Sequence, residues 1–464
     1  MQLELTLPKT PLKLGPRRLA KIQAREDLVQ SLGVLAMIGV SSMFLLDGGL
    51  SGIVDIPSAL NAVSRLASLL GTALMLVMLL LTSRAPWIDA AIGQDHATLL
   101  HKKLGKPALY LILGHFLASL ISFAIVDGQN VLAEMWFLLT SVEDMLTATI
   151  SVGLMILVVV TSLNFARKRV KYETWFLVHL FSYISVIAAI PHIFSLGSDL
   201  VPNQFHQWVW IFAYLFTAGN ILAFRIGMPL WRSFSSGLRI SRVHRESSDS
   251  VTVTVSGKNL KKYQGEAGQF FMLRILTKGI GLQAHPFSIS AVPTDNSIRF
   301  TIGDRGDGSK FIQGLKPGCR VILEGPYGVF TEGRRTKVKT VLIGAGIGVV
   351  PIRAMAEGLH ATPGDITIIY RTRDPADSPL LSEIKAIAEY RKHNLHLVTG
   401  RRPQNGNWLM ASGLDESGLQ RLVPDIQNAD VYVCGPIALT EQVTKTLEKL
   451  HVPKHQIHSE EYAW

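Results

Sequence analysis

Four histidines lie inside two long apolar stretches of the sequence, where their type and spacing suit metal-bound cofactors. His101 and His115 lie in one stretch, and His179 and His192 lie in the other. Ionisable side chains inside a membrane-like apolar stretch are costly and mark functional sites. Two facing pairs at two depths are what two b-type haems need as axial ligands, because a porphyrin takes one ligand from each side.

The spacing within each stretch sets the distance between the two levels. Fourteen residues separate His101 from His115, and 13 separate His179 from His192. At a rise of 1.5 Å per residue the levels are roughly 21 and 20 Å apart. At about 100° per residue His101 and His115 share a helix face, whereas His179 and His192 are about 140° out of phase on an ideal helix. Pro191 precedes His192, and a proline kinks a helix, which is one way to turn His192 inward.

Other interpretations of these histidines are weaker. A single buried histidine is usually a hydrogen-bonded core residue, but four at matched depths argue against that interpretation. Zinc fits less well than haem, since a zinc site gathers three or four ligands at one depth. His96 and His206 lie at the edges of apolar stretches and are interpreted as interfacial, with His206 also a candidate polar group near the outer haem.

Six apolar stretches reach the roughly 20 residues that a membrane-spanning helix needs. They lie near residues 28–46, 62–82, 101–126, 145–164, 174–195 and 206–228. The N-terminal arm, residues 1–27, and the loop after the fourth stretch are rich in lysine and arginine. The connections with neither residue are 47–61, 127–144 and 196–205. Because basic loops stay on the cytoplasmic side, we expect both termini and the soluble part in the cytoplasm.

This orientation assigns one histidine level to the cytoplasmic side of the membrane and the other to the outer side. We call His101 with His179 the inner pair and His115 with His192 the outer pair. Arg65 opens the second stretch at the outer level, where an arginine is costly without a partner. It is either a boundary residue whose charge reaches toward water, or a partner for a haem propionate or a reduced-oxygen species beside the outer pair. The lack of other cations in the outer loops favours the second interpretation.

Length and composition indicate a multi-domain membrane protein. The chain has 464 residues and a formal net charge of +11, and residues 28–230 form the predicted membrane domain. The positive charge is assigned to a cytoplasmic rim that faces anionic lipid, not to nucleic-acid binding. The two cysteines, Cys319 and Cys434, argue against a disulfide framework and against a cysteine metal site.

Residues 235–335 carry short β-rich runs with glycine and proline between them, which predict a small antiparallel barrel. The runs are residues 251–255, 269–274 and 297–302. Three motifs accompany them: His285-Pro286-Phe287-Ser288, Gly306-Asp307-Gly308-Ser309 and the stretch 324–328.

Residues 338–464 alternate strands and helices, which predicts an α/β Rossmann-like domain. A buried run at 340–343 leads into Gly344-Ala-Gly346-Ile-Gly348, followed by Pro351 and a helix. Glycines at such a turn let the backbone approach a phosphate, and the helix N-terminus favours its negative charge. The motif alone is weak, but its place between a strand and a helix favours nucleotide binding.

Basic residues follow two of the later strands. Arg371 and Arg373 come after the run 366–370, and Arg401 and Arg402 come after the next one. Arginines at strand ends bind the 2′-phosphate that distinguishes NADPH from NADH, and the alternative is a solvated basic edge. Because no acidic residue ends the run to bind a free ribose 2′-hydroxyl, we predict NADPH.

Together these motifs resemble those of the membrane flavocytochromes that include the NADPH oxidases and ferric reductases. The resemblance covers about residues 60–464. It implies six helices with two haems on paired histidines of the third and fifth spans. It also implies a cytoplasmic FAD-binding barrel and an NADPH-binding domain similar to that of ferredoxin–NADP reductases.

The resemblance also implies roles for the soluble motifs. The stretch His285–Ser288 is similar to the family's flavin motif, in which Ser288 faces the isoalloxazine. The stretch Gly306–Ser309 resembles its pyrophosphate-binding turn, and Gly344–Pro351 resembles its nicotinamide-nucleotide loop. Cys434 with Gly435 resembles the motif beside the nicotinamide.

Two further positions carry implied roles. Arg65 falls where oxidase members have an arginine close to the outer haem. Family members end in an aromatic ring that stacks over the flavin and is displaced by nicotinamide. Trp464 is the predicted ring here, and Tyr462 is the alternative.

The resemblance implies an NAD(P)H-dependent oxidoreductase that carries electrons from cytoplasmic NADPH through FAD and two haems to an outer acceptor. Oxygen, giving superoxide, is expected, since a ferric chelate is usually anionic and the outer loops lack cations. Ferric-chelate reduction and donation to a membrane quinone or cytochrome are the alternatives. A catalytically inactive scaffold or transporter is disfavoured by the intact Ser288, Gly344–Gly348 and Cys434 motifs. The oligomeric state and any protein partner stay open.

Overall fold

The computed structural model describes residues 14, 16–167, 169–277, 283–400 and 414–461. The chain divides into two compact units, a membrane unit of residues 26–226 and a soluble unit of residues 1–25 with 227–464. Arg401 and Arg402, and the two aromatic residues Tyr462 and Trp464, lie outside the described residues.

Six helices of the described chain are long and apolar enough to cross a membrane, so the prediction of six spans is confirmed. Large apolar side chains are exposed along them, among them Leu45, Leu117 and Phe212, as lipid-facing surfaces require. The candidate spans are Ala20–Leu46, Ile56–Leu81, Gln94–Val126, Met145–Ser162, Glu173–Leu196 and Gln204–Ser236.

The helices pack in two close pairs: α2 (Ile56–Leu81) lies along α4 (Gln94–Val126), and α6 (Met145–Ser162) lies along α8 (Tyr172–Leu196). Asp55 caps α2 by accepting a hydrogen bond from the backbone N–H of Ser58 at 2.9 Å. Pro107 lies inside α4 and Pro191 inside α8, and both helices continue through the proline. The helices are α1 (Pro16–Leu46), α2 (Ile56–Leu81), α3 (Pro86–Ile92), α4 (Gln94–Val126), α5 (Val131–Ser141), α6 (Met145–Ser162), α7 (Asn164–Arg167), α8 (Tyr172–Leu196), α9 (Gln204–Asn220), a π-helical segment (Ile221–Gly227) and α10 (Met228–Ser236).

The first part of the soluble unit is built from two three-stranded antiparallel sheets, β1-β2-β5 and β4-β3-β6. The bridges Arg239–Arg320 and Ile289–Phe300 join the sheets at both edges. This arrangement agrees with the predicted antiparallel barrel, although the described strands do not pair continuously around a closed ring. The elements are β1 (Arg239–Ser247), β2 (Ser250–Ser256), β3 (Phe270–Ile275), β4 (His285–Ser288), β5 (Ser297–Gly303), α11 (Asp307–Gln313) and β6 (Val321–Tyr327).

The second part is a parallel five-stranded sheet in the order β11-β10-β7-β8-β9, with helices packed on it. Buried apolar runs on the central strands explain this placement, since a parallel sheet is covered on both faces. The elements are β7 (Lys339–Ala345), α12 (Val349–Gly358), β8 (Ile366–Thr372), α13 (Leu381–Arg391), β9 (Asn394–Thr399), α14 (Glu416–Leu422), β10 (Ala429–Gly435), α15 (Ile437–Lys449) and β11 (Ile457–Glu461). The predicted α/β Rossmann-like fold is confirmed.

A buried histidine of this sheet domain predicts a dependence of stability on pH. The Nε2 of His393 lies 3.1 Å from the carbonyl oxygen of Ala356. Burial lowers the pKa of His393 from 6.5 to about 4, because desolvation disfavours the imidazolium. The unfolded chain then binds the proton first, so stability present above pH 6.5 is lost as the pH falls towards 4.

We expect the wild type to lose about 1.4 kcal/mol at pH 5.5 relative to pH 8 through this histidine. Thermal unfolding of the wild type and of His393→Gln at both pH values measures the effect, and the variant should lose less stability on acidification. Equal losses in the two proteins would contradict the prediction.

Candidate functional site

The inner pair faces across the helix bundle. The ring centres of His101 on α4 and His179 on α8 are 6.0 Å apart. The Nδ1 of His101 lies 3.1 Å from the carbonyl oxygen of Met78, and the Nδ1 of His179 lies 3.3 Å from the hydroxyl of Ser162. Trp175 stacks on His179 with ring centres 5.0 Å apart. Both rings are therefore held through Nδ1, which leaves Nε2 as the available ligand atom.

The outer pair has the same spacing and a different support. The ring centres of His115 on α4 and His192 on α8 are 6.3 Å apart. The Nδ1 of His115 lies 2.8 Å from the hydroxyl of Ser64 and 3.1 Å from its carbonyl oxygen. The Nδ1 of His192 is buried and has no hydrogen-bond partner among the described residues. Despite the 140° mismatch expected for an ideal helix, His192 lies opposite His115, one residue after Pro191 within α8.

The geometry of both pairs fits one metal between each pair of rings. Two imidazoles that bind one metal from opposite sides have ring centres about 6 Å apart, since each metal–nitrogen bond is about 2 Å long. Histidine ligands usually donate their other N–H to a carbonyl or hydroxyl oxygen, as three of these four can. Within the described ranges no group of three histidine, cysteine or acidic side chains is placed to hold a metal. Two ligands at each of two levels suit a haem better than zinc.

Arg65 has a carboxylate partner that the sequence does not reveal. Its Nε donates to Asp199 at 3.0 Å, and its Nη2 contacts the other carboxylate oxygen, so the pair is bidentate. The guanidinium also lies 5.4 Å from the ring of Phe44. Beside it, the Nδ1 of His206 lies 2.9 Å from Asp47. The charge of Arg65 is thus neutralised within the protein, and His206 is a buried residue held by a carboxylate.

The glycine loop and the Cys434 motif lie side by side at the carboxyl edge of the parallel sheet. Gly344 on β7 is in register with Cys434 on β10, and Cys434 is fully buried. A Cβ at position 348 would lie 2.6 Å from the Cα of Gly435 and closer still to the carbonyl oxygen of Cys434. Gly346 has a φ of +54°, a conformation that favours glycine. Close backbone approach therefore requires glycine at 348.

Arg371 lies next to this loop, whereas Arg373 points into solvent. Arg371, the last residue but one of β8, lies opposite Ala345, the residue before Gly346. Its side chain is buried, and desolvation lowers its pKa because burial disfavours the charged form. A phosphate bound there would offset that cost. Pro351 is buried in the first turn of α12, where its missing N–H is tolerated.

The two flavin motifs are in contact. A Cβ at Gly308 would lie 2.6 Å from the imidazole of His285, so the Gly306–Ser309 turn packs against the His285–Ser288 strand. The hydroxyl of Ser309 accepts the backbone N–H of Arg305 at 2.8 Å. Pro286 and Phe287 pair with β3, and Ser288 is buried at the end of β4. One small region thus presents both motifs.

A buried ionic network joins the two parts of the soluble unit. Arg299 on β5 donates to both carboxylate oxygens of Glu383 on α13, at 2.9 and 2.6 Å. Arg353 on α12 donates to the same carboxylate at 2.7 Å and also contacts Glu357. Burial raises the pKa of Glu383, but the hydrogen bond from Arg299 and the charges of Arg353 and Arg299 outweigh it, so its pKa lies below the ordinary value.

Several residues of the site escape sequence reasoning. Ser64, Asp199, Arg225 and Glu383 are not part of any motif, and their roles depend on partners distant in the chain. Arg225 alone carried a usable signal, because it is a charged residue inside an apolar span.

Three protein families match separate parts of the chain. A family described as "Ferric reductase like transmembrane component" matches residues 67–190. An "FAD-binding domain" matches residues 236–331, and an "Oxidoreductase NAD-binding domain" matches residues 342–445. The three matches follow each other without overlap.

Individual relatives match a little under half of the chain. The chain is 26% identical over 231 residues to the reductase component of propane 2-monooxygenase from Rhodococcus jostii, which is 47% of this chain and 61% of that protein. It is 26% identical over 215 residues to ferredoxin–NADP reductase B from Sorangium cellulosum, which is 44% of this chain and 87% of that protein. The chain thus spans about three fifths of the first relative.

A solved structure also matches about half of the chain. The flavohaem-like FAD/NAD-binding domain of nitric oxide dioxygenase from Vibrio cholerae covers 49% of this chain and 98% of its own length, with 18% identity and a TM-score of 0.41.

Proposed function

We propose a specific electron path on the premise that the chain is an integral membrane NAD(P)H-dependent oxidoreductase with the architecture of the NADPH oxidases and ferric reductases. In this proposal the chain carries electrons from cytoplasmic NADPH, through FAD and two b-type haems, to oxygen on the outer side of the membrane, giving superoxide. The inner and outer histidine pairs supply the axial ligands of the two haems.

The observation that carries the proposal is the spacing of the two pairs. Both pairs have ring centres close to the separation that two ligands of one iron require, at 6.0 and 6.3 Å. In the inner pair both rings contact an oxygen atom, the carbonyl of Met78 and the hydroxyl of Ser162, whereas in the outer pair Ser64 contacts the ring of His115. These contacts orient the ligand atoms before any cofactor binds.

The other named residues have positioning roles in this proposal. When bound, FAD supplies hydride acceptance and single-electron release, and haem iron supplies one-electron relay. Ser288 and the Gly308–Ser309 turn hold the flavin, while Gly346 and Gly348 let the nucleotide phosphates approach the backbone. Cys434 would contribute to the nicotinamide site, and Trp464, which lies outside the described residues, is the proposed ring for the flavin.

Charge supports both the orientation and the acceptor. The N-terminal arm and the loop after the fourth span are basic, whereas the three opposite loops have no lysine or arginine, which favours cytoplasmic termini. Arg65 is neutralised by Asp199 and offers no free positive charge to an anionic ferric chelate. A neutral acceptor such as oxygen needs no such attraction.

One absorption experiment tests the proposal. The purified protein should show the Soret band of haem and the absorption of bound flavin. When NADPH is added without oxygen, both the haem and the flavin should become reduced. In air, dye reduction should be abolished by superoxide dismutase. A protein without a Soret band would overturn the haem assignment, and dye reduction insensitive to the dismutase would favour a ferric chelate or a quinone as acceptor.

The preference for NADPH is expected to depend on Arg371. The Arg371→Ala change removes a charged partner of the 2′-phosphate, which is worth about 1.5–3 kcal/mol, so the KM for NADPH should rise about 10- to 100-fold. The KM for NADH should change little and serves as an internal control for folding. Steady-state reduction of a dye with each nucleotide measures both values, and a parallel rise in the two would contradict the assignment.

A further inference from the structure

Arg225 is a cation in the last membrane span, on a π-helical segment between α9 and α10. A π-helix is rare and frequently marks a functional site, because the extra residue in one turn re-aims the side chains. Charged side chains in a span almost always face a partner or a cavity. The contacts of Arg225 therefore indicate the function of the π-helical segment.

The guanidinium lies beside the inner pair. Its Nη1 donates to the carbonyl oxygen of Thr82 at 2.6 Å. One turn earlier on the same helix end, the carbonyl oxygen of Met78 is the partner of His101. Carbonyls four residues apart lie about one helical pitch from each other, on the same face.

The charge of Arg225 is uncompensated, in contrast to that of Arg65. Asp199 forms a bidentate ion pair with Arg65. Throughout the described ranges, the hydrogen bond to Thr82 is the sole one that Arg225 makes, and no carboxylate pairs with it. A guanidinium has five N–H donors and can bind a carboxylate through two of them while keeping the bond to Thr82.

We propose that Arg225 binds a propionate carboxylate of the inner haem, and that the π-helical segment exists to aim it there. This inference deepens the proposed function and rests on it. It reverses the roles expected from the sequence: the cation that serves a propionate is Arg225 at the inner level, while Arg65 at the outer level already has its carboxylate. Thr82 lies past the end of α2, so the propionate edge faces the cytoplasmic end of the bundle.

The test uses the full-length protein in detergent and compares Arg225→Met and Arg225→Lys with the wild type. Loss of the positive charge disfavours the reduced state of the nearby iron. The midpoint potential of one of the two haems should therefore fall in Arg225→Met by at least about 59 mV, which corresponds to a tenfold change in the equilibrium constant for a one-electron reduction. The haem-to-protein ratio should also fall during prolonged washing. Arg225→Lys keeps the charge and should give a smaller shift.

Arg169→Met is the matched control, since Arg169 is an exposed cation on the same side of the membrane unit, 3.9 Å from the ring of Phe165. It should keep both haems and both potentials. Flavin content checks folding in every variant. If Arg225→Met does not fold, the haem potentials and haem retention of Arg225→Lys and Arg225→Gln test the inference instead. Unchanged potentials and haem retention in the Arg225 variants would overturn the inference. A wild type without haem would overturn the proposed function instead.

Discussion

Replacing His192 with leucine is expected to leave the protein with one haem instead of two and to abolish reduction of the outer acceptor. The ring of His192 faces that of His115 at the outer level, with ring centres 6.3 Å apart. Leucine cannot bind iron, so the outer haem loses one axial ligand. Reduction of the flavin by NADPH should persist, because the soluble unit contains both of its binding domains.

Haem-to-protein stoichiometry and anaerobic flavin reduction measure this outcome in one preparation. His96→Leu is the control, since His96 is exposed and belongs to neither pair, and it should keep both haems. The corresponding change at the inner level, His101→Leu, should also stop reduction of the acceptor, with the flavin still reduced. Two haems in His192→Leu would show that the outer pair is assigned wrongly.

Replacing Gly348 with alanine is expected to slow the reaction with NADPH at least about tenfold. The added methyl would lie 2.6 Å from the Cα of Gly435 and closer to the carbonyl oxygen of Cys434. Neither can yield, because β10 is paired with β7 on one side and with β11 on the other. Overpacking of this kind costs about 1–3 kcal/mol, and here it separates the nucleotide loop from the Cys434 motif. Flavin reduction by NADPH should slow by at least about tenfold, since 1.4 kcal/mol corresponds to a factor of ten.

Dithionite bypasses the nucleotide and should still reduce flavin and haem in Gly348→Ala, which separates a local effect from misfolding. Gly314→Ala is the control, because its Cβ would meet only the carbonyl oxygen of Phe311 at 3.7 Å. Stopped-flow absorbance with each reductant measures the rates. A normal rate with NADPH would show that the two loops can separate at no cost to binding.

The sequence predicts the six spans and the two soluble domains well, because both follow from local patterns. Apolar runs of membrane length and the strand before Gly344 need no knowledge of distant partners. The depth of the four histidines follows from the rise of a helix. Their rotation does not: an ideal helix turns His192 away from His115, and the position of α8 against α4 cannot be calculated from the residues alone.

The sequence does not predict which residues pair with the charged side chains of the membrane unit. Arg65 suggested a free cation, yet Asp199 lies 134 positions away in the chain and neutralises it. Arg225 and Thr82 are 143 positions apart, so their contact also depends on how helices pack. The sequence contains the charges, but long-range packing decides which of them remain available for a cofactor.

The ionic network centred on Glu383 limits how freely this protein can exchange domains. Arg299 belongs to the flavin part and Glu383 to the nucleotide part; Glu383 is buried, and the Arg299 side chain is 20% exposed. A chimaera with a foreign nucleotide domain would leave this partly buried arginine without its counter-ion unless the donor supplies a carboxylate at the equivalent site, and we expect such a chimaera to be less stable. The flavin and nucleotide parts of this chain are therefore matched in charge where they meet, even though they match separate families.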